Sequence, residues 1–381
     1  MGKTGTQSIG DHMWRTLYSP VSYGDKNALI PTQLGNDKIK WESTVQKDLG
    51  LDFSFMRGRL GGTFGYYHKV TDGTLLNMTP APSSSYSTVV FNIAKIRNQG
   101  LEFDIHGDFI RKKDFRWTGN LNISRNVSKV LDINGGPFSD PNDRDAMNLG
   151  TSVVKEGEPL GLLYGRVATG IIKTQAQLEA AREEFSLWTI FDPYLNLGDI
   201  AYEYEDGFWK EDVIGHATPD FFGGYTNTIN WNRFTLTALF TFSYGNDLIY
   251  QKDVSDSGMS SLANRGTRVL NHYSEDNTSS NRPRSMWATT YMLSSLNVYD
   301  ASYLKLKTLS LSYNLPESIC RKVRIKSASV YGTATNVFTI TSYPGPDPEV
   351  SDDPTSVIGG GRDVSTYPTV KSYTFGIRIN F

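Results

Sequence analysis

Side chains able to do chemistry are thinly spread along this sequence. The five histidines, His12, His68, His106, His216 and His272, occur without an HExxH pair or any other metal-ligand spacing. No GxSxG elbow or phosphate-cradling loop accompanies them. Asp347 and Glu349 have the chemistry of a glycosidase acid and base, but acidic loops commonly contain such pairs, and the separation that catalysis needs is not written in a sequence. Glu203, Glu205, Asp206, Glu211 and Asp212 crowd the stretch from Gly198 to Gly215 without D-x-D-x-D-G spacing, so a solvated acidic loop is expected there in preference to a calcium site. Cys320 is the single cysteine, which excludes an intrachain disulfide framework and any CxxC site. We expect no enzyme, no metal site and no cofactor.

Rings are the other candidates. Trp14, Trp209, Trp287 and Tyr291 fall in stretches without strand patterning, where they could stack on sugar faces or pack against a partner. Local packing accounts for them equally well. Trp41, Trp117 and Trp231 stand at the ends of alternating segments, as an interfacial girdle requires.

The elements that must carry these residues are strands. Aromatics make up 12% of the 381 residues although mean hydropathy is −0.38, and 35 glycines lie mostly within or beside alternating stretches. Such a composition is unlike a helical bundle. Tyr373, Phe375, Ile377, Ile379 and Phe381 alternate with Ser372, Thr374, Gly376, Arg378 and Asn380. The segment from Phe234 to Tyr244 repeats the pattern with only Leu239 out of phase. Between Ala301 and Asn314 the apolar parity flips from Leu304 and Leu306 to Leu309, Leu311 and Tyr313, which predicts a bulge near Lys307 or Thr308. Only Gln175 to Glu184 reads as helix, too short and polar for a core.

No run of about 18 apolar residues exists, so no membrane-spanning helix is expected, whereas a β-barrel hides its hydrophobicity by alternation. The N-terminus has no apolar signal-peptide core. The 38 Lys+Arg nearly balance 40 Asp+Glu for a formal charge of −2, which argues against a polyanion-binding surface and against nucleic acid as a partner. Short links (56–58, 110–113, 232–233, 315–322) alternate with long ones (10–40, 71–93, 127–219, 246–300, 341–368). Sorting short turns to one end and long loops to the other is the habit of an outer-membrane barrel. The scheme closes if Gly161 to Ile171 and Ile200 to Tyr204 form a hairpin inside one external loop. Nine complete strands and a partial tenth at Gly2 to Ile9 remain, giving an all-β, antiparallel transmembrane barrel of about ten strands with long extracellular loops. Tyr373, Phe375, Ile377, Ile379 and Phe381 then face lipid and have the form of an outer-membrane sorting signal.

The stretches NQGLE (98–102), EGEPLGLLY (156–164), IGHATPDFFGGY (214–225), ASYLKLKTLSLSY (301–313), TNVFTIT (335–341), DPEV (347–350) and Tyr367 to Phe381 resemble the SusC/RagA-type TonB-dependent outer-membrane transporters. The resemblance runs from Gly2 to Phe381. It implies uptake of an oligosaccharide or peptide substrate through a plugged barrel of roughly 22 strands, capped by a SusD-like surface lipoprotein and driven by the TonB complex through the plug. This sequence shows no plug domain, no TonB box and fewer than half those strands. Residues 1–381 are therefore expected to be the C-terminal part of such a barrel, with the plug domain and N-terminal strands absent. The resemblance also brings an expected calcium-like loop that residues 198–215 do not match. The competing readings are a soluble all-β glycan-binding protein, whose apolar faces would meet in a core, and a passive outer-membrane porin.

Overall fold

The computed structural model describes residues 2–6, 12–78, 84, 86, 89–133, 145–184, 195–258, 264–285, 292–353, 356 and 358–381. Ten strands form one antiparallel sheet whose spatial order is the chain order: β1 (Gly2–Thr6), β2 (Glu42–Phe55), β3 (Leu60–Met78), β4 (Val89–Arg111), β5 (Phe115–Asp132), β6 (Phe221–Trp231), β7 (Phe234–Tyr244), β8 (Tyr303–Asn314), β9 (Ser327–Thr341) and β10 (Ser372–Asn380). Each strand pairs only with its neighbours in sequence, so short and long connections separate to opposite ends, as expected from the link lengths.

The register splits the wall into two chemistries. Leu51, Phe64, Phe103, Ile123, Gly223, Phe242, Leu304 and Ile340 face one another in turn across eight strands. One residue along, Asp52, Thr63, Asp104, Asn122, Gly224, Thr241, Lys305 and Thr339 make the corresponding row on the other face. Because side chains alternate along a strand, a slip of one residue anywhere would mix the rows. Rings reinforce the apolar face, with Phe64 and Phe103 at 4.8 Å and Phe234 and Tyr313 at 4.8 Å between centroids. The Phe242 ring lies across Gly223, where a Cβ would come within 2.8 Å of it, so the glycine leaves room for its neighbour. Asn227 is polar on this face, and its Oδ1 accepts the Trp117 indole N–H. On the other face hydroxyls and carboxylates satisfy each other: Thr63 Oγ1 donates to Asp52 at 2.8 Å, and the Ser310 and Thr333 hydroxyls are 2.9 Å apart.

The apolar rows are not packed in a core. Phe375 is 84% and Ile377 67% exposed, with Leu51, Trp231 and Ile340 also exposed. Loops pack instead against the polar face, through Lys305 and Tyr303. The polar face is thus the lumen side and the apolar face points outward. A soluble sandwich would require the reverse.

The bulge falls at Lys307. Leu239 and Phe240 are consecutive, but their partners are Thr308 and Leu306, so Lys307 is the extra residue. This absorbs the parity flip: Lys305 points inward while Leu304, Leu306, Leu309 and Leu311 all reach the outer face.

Several expectations need correction. The presumed loop 71–93 is mostly wall, since β3 continues to Met78 and β4 begins at Val89, with register shifts around Thr74 that broke the sequence period. Likewise β5 runs to Asp132. Among the described residues two further α-helices accompany α1 (Gln175–Glu184), namely α2 (Gln251–Gly258) and α3 (Glu317–Lys322), both too short to show a helical period. The internal hairpin exists only in part. Ala168–Ile171 pairs with Ile200–Tyr202, whereas Leu162–Arg166 lies between Glu211–His216 and Ser152–Lys155 in a four-stranded sheet. Burial explains that sheet, because Val153 and Leu162 pack with Ala146 while Val154 turns to the cluster of Val89, Ala94 and Met147. Buried apolar clusters sit at the long-loop end: Val89, Ala94 and Val130 with Met147 and Val154, and Leu248 with Ala301 and Tyr343.

Candidate functional site

Where β8 leaves the loop region, Lys305 points into the lumen with its side chain 1% exposed. A lone ammonium there is untenable, and the loop after β9 supplies its partners. Asp347 Oδ1 is 3.0 Å from Nζ, and Glu349 Oε2 contacts the same ammonium. The bulged Lys307 reaches Glu349 Oε2 at 2.8 Å, and Tyr303 donates its hydroxyl to Glu349 Oε1 at 3.0 Å. Thr369 Oγ1 and the Glu349 N–H donate to Asp347.

Burial alone would raise both carboxyls. For Asp347 the Thr369 hydroxyl, the Glu349 N–H and Lys305 outweigh it and hold the group below the ordinary carboxylate value. For Glu349 the two lysines do the same. Two ammoniums and two carboxylates balance, so the cluster ties residues 347–349 to the wall without an ionised group left over. Further along the loop Tyr343 donates to buried Asp363 at 2.9 Å, and burial followed by that carboxylate raises its phenol.

Beside the cluster lies an open cavity of about 560 Å³. Its floor is the lumen face at Phe222, Thr241, Ser243 and Tyr303, and its roof is formed by Pro348, Val350, Ser351, Asp353, Gly360 and Gly361. A second hollow of about 710 Å³ lies outside the wall, between α1 and the Ala168–Ile171 hairpin. Tyr202 and Tyr204 line it together with the Lys210–Glu203 ion pair at 3.0 Å, and burial pushes the Tyr202 phenol up to about 12. Both hollows combine rings with a few charged groups, the general make-up of ligand pockets.

The ring residues singled out from sequence do not converge. Trp14 is half exposed beside the Arg15 guanidinium, 4.3 Å from its ring centroid. Trp209 opposes Tyr204 in a tight hairpin closed by Asp206 and Gly207 at positive φ, with Arg166 4.5 Å above its ring. Neither ring lines either hollow. Trp287 and Tyr291 lie outside the described residues. Lys305 and Lys307 were missed, although two lysines at alternate positions in an otherwise apolar and hydroxyl strand signal an inward charge that needs a partner. Asp347 and Glu349 were noticed for the wrong chemistry.

Comparison with known proteins agrees with this architecture. The family model described as TonB dependent receptor-like, beta-barrel matches residues 16–238. TonB-dependent receptor P3 of Formosa agariphila is 32% identical over 394 residues, an alignment taking in 100% of this chain and 38% of that protein. SusC of Bacteroides thetaiotaomicron, a TonB-dependent receptor, is 25% identical across 100% of this chain and 37% of its own length. Among solved structures, the RagAB peptide transporter superposes with a TM-score of 0.78 at 23% identity, covering 100% of this chain and 40% of that one. The chain thus spans about two-fifths of the length of these relatives, which are receptors and transporters, not enzymes. Since the family match runs through wall strands and the intervening loop sheet alike, the chain belongs to the TonB-dependent receptor-like β-barrel family of the outer membrane.

Proposed function

We propose that residues 1–381 form the C-terminal barrel part of an active outer-membrane importer of oligosaccharides or peptides, working with a SusD-like surface lipoprotein. The plug domain, through which the TonB complex acts, and the N-terminal strands would come from the rest of that receptor. The supporting observation is the register: one outward apolar row and one inward polar row persist across eight strands, with every long loop at the same end. Among the described residues β1 and β10 are the edges of the sheet, which further strands would cover. The lumen cavity beside Glu349 and the exposed Trp14 are the surfaces this reading offers to substrate and partner. Uptake of labelled oligosaccharide and peptide pools by cells expressing the receptor, with and without a protonophore, tests it. Uptake that collapses when the proton gradient is removed is expected. Gradient-independent uptake would make the receptor a passive pore, and co-purification of no surface lipoprotein would remove the capped-importer part.

A further inference from the structure

The short-turn end of the wall is dense in cations. Segments 56–59, 111–116, 232–233 and 317–326 hold the short connections and their flanks, and they carry eleven Lys or Arg against two acidic residues, Asp114 and Glu317. All eleven basic residues are exposed. In a chain of formal charge −2, this is a marked segregation that net charge conceals. Some are engaged: Arg116 and Arg111 stand 3.2 and 3.9 Å from the Asp108 carboxylate, and Arg321 pairs with Glu317 at 3.1 Å. Among the described residues, Lys112, Lys113, Arg233, Lys322, Arg324 and Lys326 form no ion pair.

Directly inside these charges runs an outward apolar row, Phe115, Trp231, Phe234, Tyr313, Val330 and Ile377, paired across six strands. Arg233 immediately precedes Phe234, and Arg116 immediately follows Phe115. With a rise of about 3.3 Å per residue, Arg116 and Arg233 lie one residue and Lys113 two residues from this row. Exposed Ile319 and Val323 interleave with Arg321, Lys322 and Arg324 in the same way at α3. Exposed rings and aliphatics alternating with cations at the level where a lipid-facing wall ends match a surface of anionic headgroups. An acidic protein would answer the charge and leave the apolar half unmatched.

We propose that the short-turn rim binds the phosphate headgroups of anionic phospholipids in the adjoining leaflet. Each basic residue held near such a surface is worth roughly fivefold in affinity, and the attraction is screened within a Debye length. The receptor, purified from outer membranes in an uncharged detergent, is titrated with phosphatidylglycerol or phosphatidylcholine, and retained lipid is read by native mass spectrometry. Phosphatidylglycerol should be retained about tenfold more strongly, and the preference should disappear at about 0.5 M salt. It should also disappear when Lys112, Lys113, Arg233, Lys322, Arg324 and Lys326 are each replaced by Gln, with heat-modifiable migration as the folding control. If that variant does not fold, the salt arm on the unaltered protein decides alone. Equal retention of both lipids, or an undiminished preference in the folded variant, overturns the proposal. So does tighter binding of poly-glutamate than of phosphatidylglycerol, which would make the rim a protein-docking surface. None of these readouts involves uptake, so the result stands apart from the importer reading.

Discussion

Lys305 Nζ and Asp347 Oδ1 are 3.0 Å apart, joining a wall strand to a loop 42 residues later, with side chains 1% and 3% exposed. A pair this dry contributes less net stability than its separation suggests, because both ions lost their water. Its consequence is positional: the roof of the lumen cavity has one place to sit.

Lys305→Met should therefore release the loop without unfolding the wall. Removing the ammonium leaves Asp347 buried and unpaired, a loss of about 3 to 5 kcal/mol, while the outward rows are untouched. Limited proteolysis should cut within 342–371 in the variant and spare the unaltered receptor, with heat-modifiable migration unchanged. Adding Asp347→Asn should restore part of the protection, since an amide can be buried without a counter-ion. Equal resistance of Lys305→Met and the unaltered receptor would show that the loop is held by other contacts.

The same cluster sets a pH window. Asp347 and Glu349 are held below ordinary values of 3.8 and 4.5. A depressed carboxyl lends stability that is complete above its ordinary value and disappears as pH falls through the depressed one. Loop protection, followed by hydrogen exchange, should hold from about pH 8 down to about pH 5 and fail only below about pH 4. Release between pH 7 and 5 would point to a different titrating group.

Sequence patterning exposed the wall because the physics of lipid contact is written at period two. The segment from Phe234 to Tyr244 and the one from Ser372 to Asn380 could be read directly, and the flipped parity after Leu306 located the bulge. The outer halves of β3 and β4 were not legible. There Val89 and Ala94 are covered by loop residues, and the shifts near Thr74 erase the alternation. Helix α2 was hidden because QKDVSDSG holds one apolar residue, too few for any period. The Lys305 site was hidden for a different reason: its partners come from a loop whose path no local pattern encodes. The cationic rim was readable in principle, since it needs only the short links and a count of charges along them.

Deleting Lys307 should be tolerated by the barrel. As the extra residue opposite Leu239 and Phe240, it can leave while Leu306 and Thr308 keep their partners on β7, and the irregularity passes to β9, where residues 336 and 337 lie between Thr335 and Phe338. The outward set Leu304, Leu306, Leu309 and Leu311 then alternates without interruption. Folding yield should stay near that of the unaltered protein, and proteolysis of 342–371 should rise modestly because Glu349 keeps Lys305 but loses its second ammonium. Inserting one Ala between Ser310 and Leu311 should abolish folding, because Leu311 and Tyr313 would turn into the lumen. Similar yields from the deletion and the insertion would mean that the register of β8 is not fixed by its faces.

Phe381 follows β10 on the short-turn side and is fully out of any core, as are Phe375 and Ile377 before it. If this alternating segment is the signal read during outer-membrane assembly, Phe381→Ala should lower the amount of inserted receptor several-fold while leaving ligand capture per inserted molecule unchanged. The lost ring is worth about 2 to 3 kcal/mol of apolar burial at most, too little to unfold a wall of this size. It also lies at the opposite end from the long loops that would meet nutrient. Phe381→Tyr serves as the control, since it keeps the ring and should insert normally if recognition requires an aromatic. Heat-modifiable migration of membrane fractions measures insertion, and labelled-ligand binding to intact cells measures capture. Normal insertion of the Ala variant would leave Phe381 an ordinary member of the lipid-facing row.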